Sequence, residues 1–428
     1  MRPRTPGKMH ILFIIPYSPT RIRVRPYNLI KFLAQRENSL TLATVWEDEA
    51  ELDALEEFER LGVRVISQPL QKRRRLVNTS HAFFSSTPLQ ARYSWQPALA
   101  EQLSEFLTAH PNRWDIIHVE HLRGAQYGLH LKAQLEEHAH AVPIVWDSVD
   151  CISLLFEGAS RNSRSGFGRL ITRFELPRTR RFEGFLVNQF ERVLVTSPQD
   201  KRALERLAIQ YSPASNQGAS NIAVLPNGVD LKYFSPNGDQ RKPDTIIFTG
   251  KLSYHANVSA ALCLLQDIMP SVWAQRPQTQ VQLVGKDPPS VLRKLAHNDQ
   301  RVEVTGFVPD IRYYLRRASL AIAPLVYGAG IQNKVLEAMA CGIPVAASSQ
   351  AVSALGAVPG RDVLVADEPH EIAAAALKLL ENPPLNSQIG ANGRAYVERH
   401  HDWNSIAAQL ENIYRETIGD LDSIHSVV

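Results

Sequence analysis

The chain has 428 residues, 44% of them hydrophobic and 21% charged, with a net charge of +4. Such a composition excludes an intrinsically disordered chain, has room for two or three domains of ordinary size, and carries no overall charge footprint for nucleic acid. Cys151, Cys263 and Cys341 stand far apart without a CxxC pair, which points to a reducing, cytoplasmic setting and away from a disulfide framework or zinc site.

The opening residues MRPRTPGK lack an apolar h-region and read as a disordered leader; no later apolar run reaches the roughly 20 residues that span a bilayer. HILFIIP (10–16) is an apolar, β-branched run ending at proline, as a buried parallel strand does. The loop YSPTRIRVRPYN leads into the helix LIKFLAQR, and SLTLATVW is a second strand. This is the doubly wound pattern, with ligands at the carboxyl ends of the strands; without GxGxxG, the first loop does not predict nicotinamide binding. Arg21, Arg23 and Arg25 in that loop read either as solvated surface or as a site for an anionic group. After the strand VRVISQPL, the run Lys72, Arg73, Arg74, Arg75 predicts a solvated loop or a contact with anionic lipid headgroups. RWDIIHVEHLRG puts His118, Glu120 and His121 at a strand end, and VPIVWDSVD puts Asp147 and Asp150 just past the strand IVW. The spacing lacks the HExxH logic of a metal site. Residues 161–181 interleave arginines with Phe167, Leu170, Ile171 and Phe174, which suits a membrane interface or a surface helix packed by its apolar side. Pro177 is expected to break any single long helix there. Ser197 reads as an N-cap, and Asn227-Gly228 as a turn before a polar linker, with a hinge near 234–243.

The pattern then restarts. TIIFTG, VQLVG, VEVTG and SLAIAPL each end at glycine or proline, and they present Gly250, Lys251, Gly285, Lys286 and Gly306 at the ligand side. In PLVYGAGIQNKVLEAMACGIPVAASS (324 onward), Gly328 and Gly330 open a loop, residues 333–341 form a helix, Gly342 ends it, and IPVAAS is a buried strand. A helix starting behind such a loop offers the amides near Ile331, Gln332 and Asn333 to a phosphate group. Lys334 and Glu337, three apart, share one helix face. An ordinary αβ unit whose glycines serve only packing is the other reading. Residues 420–428 look like a free tail, so the pair Asp420-Leu421-Asp422 reads as solvated charge.

GxGxxxKxxEAMACGxPV, from Gly328 to Val345, resembles the donor-site signature of the retaining glycosyltransferase family 4, and IAVLPNGVDLKYFSP (222–236) resembles a further segment of that family. The resemblance implies an α/β GT-B fold, two doubly wound Rossmann-like domains facing a central cleft. The acceptor domain would span 9–235 with a crossover helix at about 402–418, and the donor domain 244–398. It implies a nucleotide diphosphate sugar as donor and a saccharide or lipid-linked acceptor. The basic stretches allow peripheral contact with anionic membrane, and with Lys251, Lys334 and the helix amides at the phosphate no cofactor or metal is expected. In the resemblance Glu337 holds the ribose hydroxyls, while Lys251 and Lys334 meet the diphosphate. The family's partner glutamate falls on Ala329, so Lys334 and the loop from Gly328 to Asn333 are left to hold the sugar. On the acceptor side, Asp147 carries over while Trp146 replaces a histidine, and His118 stands near the expected cleft. Arg21 and Arg23 match the Arg-x-Arg stretch of a subgroup tied to exopolysaccharide and PEP-CTERM systems. A GT-B sugar-nucleotide epimerase and a non-catalytic GT-B partner are the rival readings.

Overall fold

The computed structural model describes residues 8–110, 113–137, 142–162, 166–211, 221–238, 240–327 and 331–425, with backbone alone for 159–162, 166–172 and 421–425. Residues 1–7 of the expected leader, and Gly328, Ala329 and Gly330, lie outside the described residues. The chain divides into two compact units, Met1–Pro226 with Asn404–Val428, and Asn227–Trp403.

The first unit is built on a parallel sheet of β1 (His10–Ile15), β2 (Ser39–Trp46), β3 (Arg64–Pro69), β4 (Ile116–Glu120), β5 (Ile144–Val149), β6 (Arg192–Val195) and β7 (Ile222–Val224). Its order is β3-β2-β1-β4-β5-β6-β7. Every residue of β4 and all but the first of β1 are buried, as expected of strands covered on both faces. The strand order reverses between β1 and β4, so their carboxyl ends form the switch point at which such sheets bind ligands. The helix His121–Glu137 leaves β4 directly at that point. Gly124 lets it lie close, because a Cβ there would stand 3.1 Å from a Val119 methyl.

Four expectations change here. Lys72–Arg75 is not a loop but the first turn of the helix Lys72–Phe83; long unbranched side chains without glycine or proline propagate a helix readily. Pro177 does not end its helix, which runs Gly166–Val187. Proline inside a helix costs about 3 kcal/mol, and tertiary bonds from the same helix offset that cost. Glu175 accepts from the Leu89 amide at 2.7 Å, Glu183 from the Ile152 amide at 2.7 Å, and Arg178 donates to the carbonyls of Ala82, Ser85 and Thr87. The final helix continues to His425 instead of fraying at 420, and Asp420 pairs with Arg192 at 3.2 Å. Asp147 lies within β5 and not past it. Ser197 does cap its helix, accepting from the Asp200 amide at 3.1 Å, and the three cysteines are free.

The second unit repeats the design with β8 (Thr245–Thr249), β9 (Gln280–Val284), β10 (Val302–Gly306), β11 (Leu320–Ala323), β12 (Val345–Ala347) and β13 (Leu364–Val365). The order is β10-β9-β8-β11-β12-β13, with the switch between β8 and β11. Residues 227–236, expected to approach a hinge, pack on this unit. The Asn227 carbonyl meets His401 Nδ1 at 2.7 Å, Arg394 reaches the Phe234 carbonyl at 2.8 Å, and Arg316 the Ser235 carbonyl at 2.7 Å. The boundary between the units therefore falls at 226/227 and not near 235.

Gly250 and Gly285 end β8 and β9 side by side, and a Cβ on Gly285 would lie 1.7 Å from the Gly250 carbonyl oxygen. Gly306 has φ +71° but open space around it. Gly285→Ala is expected to cost roughly 3–5 kcal/mol of unfolding free energy, against about 1–2 kcal/mol for Gly306→Ala, where only the left-handed backbone is penalised. Urea unfolding measures both, and equal losses would contradict the close approach.

Candidate functional site

The helix Asn333–Ala340 opens at the switch point of the second sheet. Its far end is fully paired. Gly342, at φ +72°, donates to the Met339 carbonyl at 2.9 Å, and the Ile343 amide donates to Ala338 at 3.1 Å, a Schellman turn. Arg394 donates to the Ala340 carbonyl and Arg241 to the Gly342 carbonyl, each at 2.5 Å. The negative end of the helix dipole is thus covered by cations. At the positive end Gln332 is the N-cap and no side chain caps it, which leaves amides for an anion.

Lys334 and Glu337 on this helix are half-buried. Lys334 donates to Gln332 Oε1 at 3.1 Å, and its Nζ lies 5.8 Å from the Phe248 ring centre. Burial pushes the Lys334 ammonium down to about 8, opposed by Glu337, and pushes the Glu337 carboxyl up to about 7, opposed by Lys334. Gly250 adjoins Lys334, since a Cβ there would lie 3.3 Å from Lys334 Cε. Lys251 follows, its side chain exposed and its carbonyl held by Asn257 Nδ2 at 2.9 Å. Asn257 was not singled out from the sequence; its one signal is an amide in the first turn of the largely apolar HANVSAALC. The Oδ1 atoms of Asn257 and Asn333 are buried without a partner among the described residues. Ile331 is buried and Gln332 half-buried. Gly285 adjoins Gly250, and the Lys286 carbonyl accepts from the Leu252 amide at 3.0 Å. Gly306 is not brought to this point, for β10 is the edge strand, two places from β8.

At the switch point of the first sheet the charged groups form a buried chain. Arg25 Nε donates to Asp147 Oδ2 at 2.8 Å, Asp147 faces His118 Nε2 at 3.5 Å, and His118 Nδ1 meets the Tyr414 hydroxyl at 2.8 Å. Burial alone would raise Asp147, but Arg25 and His118 outweigh it and hold the carboxyl at about 2. His118 is pushed down by burial, with Asp147 opposing. Glu120, 2% exposed, is raised to about 8 by burial and by the Asp147 charge; it accepts from the Tyr17 hydroxyl at 3.2 Å. His121 is driven down to about 3 by burial and Arg123. His121 and Val149, at the ends of β4 and β5, have φ of +62° and +67°. Left-handed backbone is costly for a β-branched valine, and such strain gathers at functional sites. Arg23 lies 4.2 Å over the Tyr17 ring and pairs with Glu51 at 3.3 Å. Arg21 lies apart, with its side chain 73% exposed and paired with Glu57. The helix expected over LIKFLAQR starts earlier, at Val24, and Arg25 in its first turn, not Arg21 in the loop, is the arginine turned inward.

Residues 22–228 match the glycosyl transferase 4-like domain family, and residues 243–382 match the family of glycosyl transferases group 1. Both units carry glycosyltransferase domains of the GT-B, family 4 kind. The GT-B fold is shared with the solved structure of Anabaena HepE in complex with UDP and glucose, at 17% identity and a TM-score of 0.63, covering 95% of this chain and 100% of that one. It is shared too with sucrose-phosphate synthase from Thermosynechococcus elongatus, at 20% identity and a TM-score of 0.66, covering 96% and 100%. In sequence the chain is similar to the GDP-mannose-dependent monoacylated alpha-(1-6)-phosphatidylinositol monomannoside mannosyltransferase of Corynebacterium glutamicum. That match is 30% identical and covers 44% of this chain and 55% of the relative. Phosphatidyl-myo-inositol mannosyltransferase of Mycobacterium tuberculosis is also 30% identical, over 47% of this chain and 55% of its own. The chain spans about half the length of the curated relatives it matches.

In this GT-B chain the Glu120 carboxyl is accommodated as the neutral acid. Its folded value lies above the unfolded one of 4.5, so its contribution to stability is present below that value and lost as pH rises through about 8. Glu120→Gln keeps the shape and removes the titration. The melting temperature of the variant is therefore expected to fall less than that of the parent between about pH 5 and 8.5. Parallel pH profiles would contradict the burial of this acid.

Proposed function

We propose that the chain transfers a sugar, with retention of configuration, from a nucleoside diphosphate sugar to a hydroxyl of a saccharide or lipid-linked acceptor, in polysaccharide or glycolipid biosynthesis. The observation that carries this reading is the pair Lys334 and Glu337, set at the open end of the Asn333–Ala340 helix, each titrating near neutral pH. Lys334, Lys251 and the first amides of the helix balance the charge that grows on the leaving diphosphate. Glu337, as carboxylate, accepts hydrogen bonds from the ribose hydroxyls. UDP in the HepE structure and GDP-mannose in the name of the corynebacterial relative support a nucleoside diphosphate donor. Retention and kinship with the exopolysaccharide subgroup rest on the sequence resemblance. With this cationic inventory the departing charge needs no metal ion.

A cytoplasmic enzyme touching the inner membrane face belongs to the same proposal. No helix among the described residues is long and apolar enough to cross a membrane. The helix Lys72–Phe83 exposes Lys72 and Arg73 with Leu76, Val77 and Phe83, followed by Phe84. Phe83 stacks on Phe174 at 5.4 Å, so the two basic stretches meet in one apolar and cationic patch, the chemistry of an anionic lipid surface.

Glu337→Ala is expected to lower kcat/KM for the donor roughly 10- to 100-fold in a folded protein, since lost charge-assisted bonds cost about 1.5–3 kcal/mol. Affinity for a nucleoside diphosphate sugar should be greatest between about pH 7 and 8. It weakens below as Glu337 takes up a proton, and above as Lys334 loses one. Calorimetry across this range, with turnover followed in excess EDTA, tests both. A flat pH profile, unchanged donor kinetics, or a chelator-sensitive reaction rescued by Mn²⁺ would refute the assignment. For the membrane patch, sedimentation with anionic vesicles should fall as salt rises and fall further for Phe84→Ser; absence of binding at low salt would remove it.

A further inference from the structure

In the second sheet β8 and β11 are neighbours at the switch point, where the loops leaving the strands part from one another. The loop after β8 carries Lys251 and turns tightly. The Tyr254 amide donates to the Lys251 carbonyl at 3.1 Å, and Asn257 Nδ2 donates to the same carbonyl at 2.9 Å. On the β9 side this turn is fastened by the Leu252 amide, which donates to the Lys286 carbonyl at 3.0 Å. The helix His255–Cys263 follows, with Tyr254 as its N-cap and no side chain capping it. A tie toward β11 comes from His255, the first residue of that helix. Its Nδ1 meets the Tyr327 hydroxyl at 2.8 Å, and the two rings stack with centres 5.4 Å apart and 14° between their planes. Tyr327 is 4% exposed, and the segment before it is fixed to β12. Ser348 Oγ donates to the Leu325 carbonyl at 2.7 Å, and the Ser348 amide to the Ala323 carbonyl at 3.2 Å. The Lys251 turn is therefore bound to the β11 side of the switch point by one hydrogen bond and one ring stack.

Burial pushes the His255 imidazolium down, so the ring meets Tyr327 as a neutral group and the bond neutralises no charge. What it fixes is position. The Lys251 side chain is exposed, and the reach of its ammonium is set by where the turn beneath it stands. Lys334 approaches the same turn, since a Cβ on Gly250 would lie 2.9 Å from Asn257 Nδ2 and 3.3 Å from Lys334 Cε. Two flexible cations grip a diphosphate together only if their bases keep one spacing, and a spacing set before binding spares the ordering cost. We propose that Tyr327 and His255 are positioning residues of the donor site, holding the Lys251 turn against β11 so that Lys251 and Lys334 meet a diphosphate together. The diphosphate role of the two lysines rests on the transfer reading above; the tie between the loops does not.

Inorganic pyrophosphate, titrated calorimetrically into the full chain, is the probe, because it carries neither base nor sugar. Tyr327→Phe keeps the ring and its stack and deletes only the hydroxyl. It is expected to weaken pyrophosphate binding about three- to tenfold, the range that one neutral hydrogen bond supplies. In a Lys251→Ala background the same change is expected to have no further effect, because it acts through Lys251. An equal loss in both backgrounds means that the change merely loosens the unit, and overturns the proposal. Unchanged binding in Tyr327→Phe, or a parent that does not bind pyrophosphate, overturns it as well. His255→Phe is the second variant, should Tyr327→Phe fail to fold, with the same loss and the same dependence on Lys251 expected. Where both fold, the double variant is expected to bind no more weakly than either single one. A further loss there would make His255 a direct ligand and refute the positioning role. Turnover of nucleoside diphosphate sugars by the parent, followed in parallel, reports on the transfer reading. Lys251-dependent losses without any turnover leave the tie standing and refute the transfer, and turnover with losses independent of Lys251 does the reverse.

Discussion

The carbonyl groups at the C-terminal end of the Asn333–Ala340 helix are the constraint on which the second unit's site depends. Eight residues are too few for a helix to persist by itself, so its direction is imposed by what grips its end. Arg394 and Arg241 take the last carbonyls, Gly342 turns the chain, and the helix Pro383–His400 presses so close that a Cβ on Gly390 would lie 2.3 Å from the Gly342 oxygen. With that end immobile, the amide end points at the gap between β8 and β11, and Lys334 and Glu337 follow. The Gly250 and Gly285 contact completes the floor by letting the ends of β8 and β9 close up without side chains between them.

Desolvation is the variable used in both units, with opposite results. Around Lys334 and Glu337 burial is partial and the two charges oppose it only weakly, so both titrate near neutrality and respond to a ligand. In the first unit Asp147 is completely buried, yet Arg25 at 2.8 Å keeps it ionised. Such a pair adds little net stability but fixes geometry. It ties the first turn of the helix Val24–Gln35 to β5, and Arg25 also donates to the Leu225 carbonyl at 3.0 Å. Through His118 the same chain reaches Tyr414, so the last helix is keyed to the sheet by one hydroxyl. Glu120, two residues along β4 from His118, is raised to about 8 by burial and by the Asp147 charge, which Arg25 and Arg23 offset only in part.

Much of the fold was legible because buried parallel strands are written as continuous apolar runs, and those runs stop at glycine, proline or a polar residue. The helix behind Gln332 was legible from its residues and from Gly342. The charged residues were less so. Arg21, Arg23 and Arg25 look alike in the sequence, and only the fold shows that Arg25 faces Asp147, 122 positions away, while Arg21 meets solvent. Asn257 was missed because an amide in an apolar segment has no signature until the Lys251 carbonyl is seen beside it.

The sequence by itself determined the two doubly wound sheets, the position of the glycine-ended strands and the identity of Lys334 and Glu337 as neighbours on one face, since these follow from local periodicity and turn chemistry. The tertiary structure alone decided that Pro177 stays inside a helix, that Lys72 begins one, and that residues 227–236 belong to the second unit. It decided as well which arginines find carboxylates and which do not. Those outcomes depend on desolvation and on partners distant in the chain, and neither quantity is encoded in any short stretch of it.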